Sequence, residues 1–123
     1  MPDRLRRVLI VEDDEAIAEL VQQALLDEGS YEVRRAGDGV EALEVLDGWR
    51  PDVIVLDLMM PRMDGWRFRE EQRRRAIAPD VPILVASASR RVDNLDADFA
   101  RAVIRKPFDL DELVTRVGEL AGG

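Results

Sequence analysis

Four short runs of uninterrupted apolar residues constrain this chain more than any other feature. They are Val8-Leu-Ile-Val11, Val53-Ile-Val-Leu56, Val81 to Ala86 (with Pro82 near its start) and Ala102-Val-Ile104. Each is too short for a core helix and most are rich in β-branched residues, as in strands covered on both faces of a parallel sheet. A fifth segment, Tyr31 to Ala36, alternates apolar and polar residues as an edge strand does. Helical periods separate these runs. Glu15 to Asp27 sets Ile17, Leu20, Val21, Ala24 and Leu25 on one face, and Gly29 supplies a stop. Asp38-Gly39 starts a short helix carrying Val40, Leu43, Val45 and Leu46, closed near Gly48. Further helices are predicted from Trp66 to Ala76 and from Asp109 to Leu120, where Asp109 and Glu112 have capping-box spacing. Residues 90 to 100 show no clear period. The alternation predicts an α/β fold, a doubly wound parallel sheet of five strands with five helices, the fourth short or irregular. A length of 123 residues suits one domain over 1–123, and no effector domain is expected after Gly122-Gly123.

Composition narrows the chemistry. The chain has no cysteine and no histidine. Disulfides, thiolate nucleophiles, imidazole bases and Cys- or His-ligated metals are therefore excluded. Carboxylates, hydroxyls, arginine and one lysine remain, and the metal they suit is a hard, oxygen-preferring cation. The net charge of -8 opposes contact with a phosphate backbone, so direct nucleic-acid binding is not expected. No apolar stretch is long enough to cross a bilayer and no signal-type segment follows Met1 to Arg7, which points to the cytoplasm with no membrane partner.

Parallel α/β sheets bind ligands beyond the carboxyl ends of their strands. Glu12-Asp13-Asp14 ends the first run, Asp57 the third strand, Ser87 the fourth, and Arg105-Lys106-Pro107 the fifth. Asp13 or Asp14 could equally cap the first helix, and a serine such as Ser87 often serves only a turn. Asp57 is harder to explain structurally, because it interrupts an apolar segment between Leu56 and Leu58 and a buried carboxylate needs a cation. Lys106 is the only lysine in a chain that otherwise uses arginine for positive charge. A compact ammonium suits a single phosphoryl oxygen, and it suits an ion pair with Asp57 equally well. Crowded acids at Glu12, Asp13 and Asp57 would be relieved by Mg²⁺.

These segments resemble the receiver family of two-component signalling over nearly the whole chain. The likeness rests on Val8 to Asp14, on Ala36-Gly-Asp-Gly39 with Glu41-Ala-Leu43, and on Pro51 to Pro61 followed by Met63-Asp-Gly65. Ser87-Ala88 and Lys106-Pro107-Phe108 complete it. The resemblance implies a flavodoxin-like sheet of order 2-1-3-4-5. It implies that Asp57 is the phosphoacceptor, and that Asp13 and Asp57 ligate Mg²⁺ directly with Glu12 acting through water. It further implies that the Met59 backbone carbonyl completes the protein ligation, and that Ser87 and Lys106 contact the phosphoryl group. Asp14 is then a helix cap and Lys106-Pro107 a candidate cis peptide. The implied donors are a histidine kinase, a histidine phosphotransfer protein or a small phosphodonor, and the implied output is a changed contact with another protein.

Two departures stand out. Val103 occupies the place where the family commonly has an aromatic residue three positions before the lysine, so an aromatic in-out switch cannot operate there. The interval from Ser87 to Lys106 is also short and lacks the usual Gly-Ala turn. They motivate an alternative, a pseudo-receiver that works as an interaction module without phosphorylation. A phosphohydrolase acting on external substrates is disfavoured, because Leu58-Met59 follow Asp57 where a second aspartate would be needed, and no cap segment is present. Arg73-Arg-Arg75 after Glu70-Glu71 is expected to be a solvated, ion-paired helix face, and Trp49 and Trp66 to be packing residues.

Overall fold

The computed structural model describes residues 4–122, apart from the side chains of Asp93 and Asn94. Strands β1 (Arg6–Val11), β2 (Tyr31–Ala36), β3 (Val53–Leu56), β4 (Ile83–Ser87) and β5 (Ala102–Arg105) form one sheet of order β2-β1-β3-β4-β5. Every neighbouring pair is parallel. Strand residues alternate between two cores, as the two-residue side-chain period requires. Val8, Ile10, Val53, Val55, Leu84 and Ala86 pack under α1 (Glu15–Asp27) and α4 (Leu110–Leu120). Leu9, Val11, Ile54, Leu56, Ile83 and Val85 pack under α2 (Gly39–Leu46) and α3 (Gly65–Arg74). The two apolar layers are why β3 is wholly apolar, β1 is apolar after Arg6 and Arg7, and β4 is apolar up to Ser87.

Each helix begins at an aspartate. Asp14, Asp38, Asp64 and Asp109 accept backbone N–H groups of the first turns of α1, α2, α3 and α4. One sequence expectation is corrected, and the short or irregular fourth helix takes a definite form. Leu20, assigned to the buried face of α1, is 58% exposed, and Ala18 takes its place in the core beside Val21 and Leu25. Between β4 and β5 the described chain forms a single 3-10 segment, Arg90–Asn94, so four α-helices flank the sheet. Among the described residues between β4 and β5, only Val92 and Ala100 are buried, too few anchors for an amphipathic helix of ordinary length.

A polar network on α3 substitutes for the missing apolar contacts. Arg69 is buried and donates to Gln72 Oε1 (2.8 Å), Pro79 O (2.9 Å) and Asp98 O (2.9 Å). Gln72, fully buried, donates in turn to Ala78 O at 2.8 Å. Burial holds the Arg69 guanidinium below its ordinary pKa, and the nearby Arg73 charge adds to this. The Arg73-Arg-Arg75 run divides its work. Arg74 and Arg75 bond to Glu71 at 2.7 and 2.9 Å, whereas Arg73 donates to the Asp98 carbonyl.

Glu71 is 3% exposed and is also approached by Arg67 at 3.5 Å. The Arg74 hydrogen bonds, opposed by burial and assisted by Arg75, hold the Glu71 carboxyl at about 2 against an ordinary 4.5. A depressed folded-state pKa contributes stability that is complete above the unfolded value and is lost as pH falls through the folded one. The urea midpoint of wild type should therefore exceed that of Glu71→Gln at pH 6. The gap should narrow below about pH 4.5 and close toward pH 2. A gap that is constant down to pH 3 would show that Glu71 acts through packing rather than charge.

Candidate functional site

All five strands run the same way, so their carboxyl ends share one rim. There β1 delivers Glu12 and Asp13, β3 delivers Asp57, β4 ends in Ser87 and β5 leads into Lys106. Glu12, Asp57 and Ser87 are buried at 8%, 5% and 0% exposure, while Asp13 is exposed. Three of the acids converge: Glu12, Asp13 and Asp57 each offer a carboxylate oxygen within 4.8 Å of the others. Asp14, next in sequence, turns away and caps α1 through Ala16 N (3.0 Å) and Ile17 N (3.2 Å). The neighbouring acids thus separate into a cap and a cluster.

Lys106 supplies the counter-charge. Its Nζ donates to Glu12 Oε1 at 2.5 Å and to Asp57 Oδ2 at 3.1 Å. Burial alone would lower the lysine pKa, but the Glu12 hydrogen bond and the Asp57 charge outweigh it and raise the value. Burial pushes the Glu12 carboxyl up to about 7, against the lowering pull of Lys106 and the Asp14 N–H and with help from the Asp57 charge. One ammonium among three acids leaves the cluster short of positive charge. Hard oxygen donors with a charge deficit fit Mg²⁺. The other Asp57 oxygen, Oδ1, accepts the Met59 N–H at 3.2 Å, and the Met59 side chain is 59% exposed at the rim.

The loop after β3 is fixed by two close approaches. Gly65 opens α3 with its N–H on Leu58 O (3.0 Å), and a Cβ there would lie 2.7 Å from the Asp57 carbonyl oxygen. Gly39 donates to Met63 O at 2.9 Å, where a Cβ would meet the same oxygen at 2.9 Å. Neither position has room for a side chain, which is the physical content of the Asp-Gly pairs in both motifs. Arg62, between them, is held in the left-handed region (φ 60) and donates to the buried Asp38 at 2.7 Å. Burial would raise the Asp38 pKa, but Arg62 and the Glu41 N–H hold it low. The sequence reading missed this Arg62–Asp38 clasp; the signal was an acid at an N-cap position that ended up buried.

The remaining expectations also have definite places. Ser87 Oγ accepts the Ser89 N–H at 3.2 Å, and Ser89 caps the 3-10 segment. The Lys106-Pro107 bond is cis. Val103, at the family's aromatic position, is 39% exposed on β5. Trp49 is buried, with Nε1 on Glu32 at 3.2 Å and Arg34 4.7 Å from its ring, and so packs as expected. Trp66 is half-buried and stacked by Arg91.

A five-stranded parallel sheet of order 2-1-3-4-5 carrying acids and a lysine on this rim defines the signalling-domain class to which the resemblance pointed. Residues 8–118 match the response regulator receiver domain family, and the chain belongs to it. The response regulator MprA of Mycobacterium ulcerans is 45% identical over 118 residues, which cover 93% of this chain and 49% of that protein. The chain thus spans about half the length of the curated relatives it matches. The Francisella response regulator 1452 receiver domain superposes with a TM-score of 0.84 at 32% identity, covering 95% of this chain and 97% of that one. TrrA of Thermotoga maritima, solved in complex with Mg²⁺–BeF, gives 0.82 at 32% identity over 94% of this chain and 99% of that one. Among the described residues no helix is long and apolar enough to cross a membrane.

Removing the ammonium while keeping the acids isolates its contribution. Lys106→Met should lower stability in metal-free buffer by about 3–5 kcal/mol, the usual range for a buried charge left without its partner. Millimolar Mg²⁺ should raise the urea midpoint of the variant more than that of wild type. Equal Mg²⁺ responses would mean that the lysine and the cation do not share these carboxylates.

Proposed function

We propose that this receiver domain is phosphorylated on Asp57 in a Mg²⁺-dependent reaction and that the modified rim alters its contacts with another protein. The observation that carries this is the burial of Asp57 at the end of β3, bonded to the chain's only lysine and clustered with Glu12 and Asp13. The Mg²⁺–BeF complex of the Thermotoga relative supports the same use of the rim.

The donor is a phosphohistidine on a histidine kinase or phosphotransfer protein, or a small phosphodonor such as acetyl phosphate. With no histidine among these 123 residues, a phosphohistidine donor lies outside them. An Asp57 carboxylate oxygen attacks phosphorus in line with the leaving group. The P–N bond of the phosphohistidine breaks, or the P–O bond of acetyl phosphate, and the departing atom keeps the electron pair. Asp57 then carries an acyl phosphate. The bond from the Met59 N–H holds the carboxylate in place, and the gate of Gly65 and Gly39 keeps the loop close to it. Lys106, already on Asp57, neutralises charge on the transferred group, and the Ser87 hydroxyl donates to a phosphoryl oxygen. Glu12, Asp13, Asp57 and the Met59 carbonyl would hold Mg²⁺, which when bound withdraws charge from the phosphoryl oxygens. The phosphoryl group carries roughly 1.5 to 2 negative charges in place of the single charge of the carboxylate it modifies. It shifts the domain between states only by its different interaction energy with each. The expected setting is the cytoplasm, with no direct contact to nucleic acid or membrane.

Intact mass after incubation with acetyl phosphate tests the assignment. A single phosphoryl adduct is expected with Mg²⁺, and none in its absence or in Asp57→Ala. Failure to form an adduct from either acetyl phosphate or a phosphohistidine donor would instead favour an interaction module that works without phosphorylation. Met59 exposes an apolar side chain at the rim. It should hinder the water that hydrolyses the acyl phosphate, so Met59→Asn is expected to lose the adduct faster than wild type. The decay of the same mass signal measures this, and slower loss in the variant would exclude a shielding role.

A further inference from the structure

We infer that a second site, a pocket between α3 and the 3-10 segment, docks a partner protein segment bearing a carboxylate next to an aromatic or large aliphatic side chain. The pocket is lined by Trp66, Arg73, Arg91, Leu95, Asp96 and Phe99 and encloses about 270 Å³, room for one large side chain. It exists because the stretch between β4 and β5 makes only a short 3-10 turn, so α3 is not covered along its length. Trp66, Leu95 and Phe99 are half-buried and continuous with the core on this side of the sheet, which gives the pocket a firm apolar wall.

The charge pattern selects the occupant. The Arg91 guanidinium lies 4.1 Å from the Trp66 ring centroid. Stacking of this kind uses the face of the guanidinium and leaves its in-plane N–H donors available. Among the described residues neither Arg91 nor Arg73 has a carboxylate partner, and the Arg73 guanidinium donates to the Asp98 carbonyl. Other arginines of the same helix differ: Arg67 and Arg74 are both engaged by Glu71. The one acid lining the pocket, Asp96, accepts the Phe99 N–H through Oδ1. An excess of cation here contrasts with a chain whose net charge is -8. A basic segment would face two arginines, and a purely apolar one would cover them without replacing their water. A carboxylate beside an apolar side chain satisfies both surfaces. Tryptophan and arginine are also the residues that most often concentrate binding energy at interfaces.

Titration of the full, unphosphorylated chain with three small probes tests this, read by NMR at the Trp66 indole N–H. The buried Trp49 indole, bonded to Glu32, serves as the internal reference for folding. The probes are 4-phenylbutyrate, its neutral amide and 4-phenylbutylamine, which share a ring and differ in charge. The carboxylate should shift the Trp66 signal saturably and bind at least about 10-fold more tightly than the amine, the factor expected for one charge-assisted contact. In the Arg73→Gln/Arg91→Gln variant that preference should disappear while the Trp49 signal stays in place. The proposal is overturned by a Trp66 signal that no probe moves, by equal affinity for carboxylate and amine in wild type, or by a preference that survives in the double variant. Because no phosphoryl group or Mg²⁺ enters the titration, its failure is distinct from failure of Asp57 to accept phosphate.

Discussion

The ammonium of Lys106 is the contact around which the rim is organised. It joins Glu12 from β1 and Asp57 from β3 to the end of β5, residues 94 and 49 positions away along the chain. Two buried carboxylates and an exposed third would repel one another strongly if they stood alone. A single point charge is enough to let the chain fold around them, yet it leaves negative charge for a divalent cation to neutralise. Such a partly compensated cluster suits the proposed phosphorylation of Asp57: it is balanced enough to be built and unbalanced enough to respond to an added charged group.

The sheet makes this arrangement possible. Parallel strands in the order 2-1-3-4-5 set β1 and β3 side by side at the centre, so Glu12 and Asp57 follow adjacent core strands. Their burial comes from the apolar layers on both faces, and their approach from the register that pairs Val11 with Leu56. Around them, the glycines at 39 and 65 remove side chains where loop and helix meet. The segments that carry the acids are therefore positioned by uncharged packing, and Lys106 supplies the charge that joins them.

On the far side of the sheet the molecule solves a different problem. The stretch before β5 has too few apolar residues to fold as a helix, and Arg69 and Gln72 bind its carbonyls and those of the preceding loop. A hydrogen-bonded network does there what side-chain burial does elsewhere, and it leaves the pocket beside Trp66 open. Val103 and this short connection are the two places where the chain departs from the pattern that its family resemblance implies. Among the described residues, the Ser87–Ser89 bond joins the rim to the 3-10 segment.

Much of the fold was legible in the sequence, because a strand segment buried on both faces must be apolar, and Val8 to Val11, Val53 to Leu56 and Ile83 to Ala86 are. The helices were legible from their period and their aspartate caps. The site was legible residue by residue, since acids, a serine and the sole lysine follow the strands where a parallel sheet places ligands. Other features were not. Leu20 fits the apolar period of α1 but lies beyond the reach of the sheet, which periodicity alone does not measure. The burial of Glu71, Gln72 and Arg69 on a helix that reads as polar all round depends on what packs against it, and polar residues carry no sign of their future partners. The sequence alone determined which side chains were available to the rim and the order in which strands would present them. Only the tertiary structure decided that Asp14 caps a helix while Asp13 joins the cluster, and that one arginine is buried while its neighbours stay in water. Those choices are made by distances between segments remote in sequence, and such distances exist only once the chain has folded.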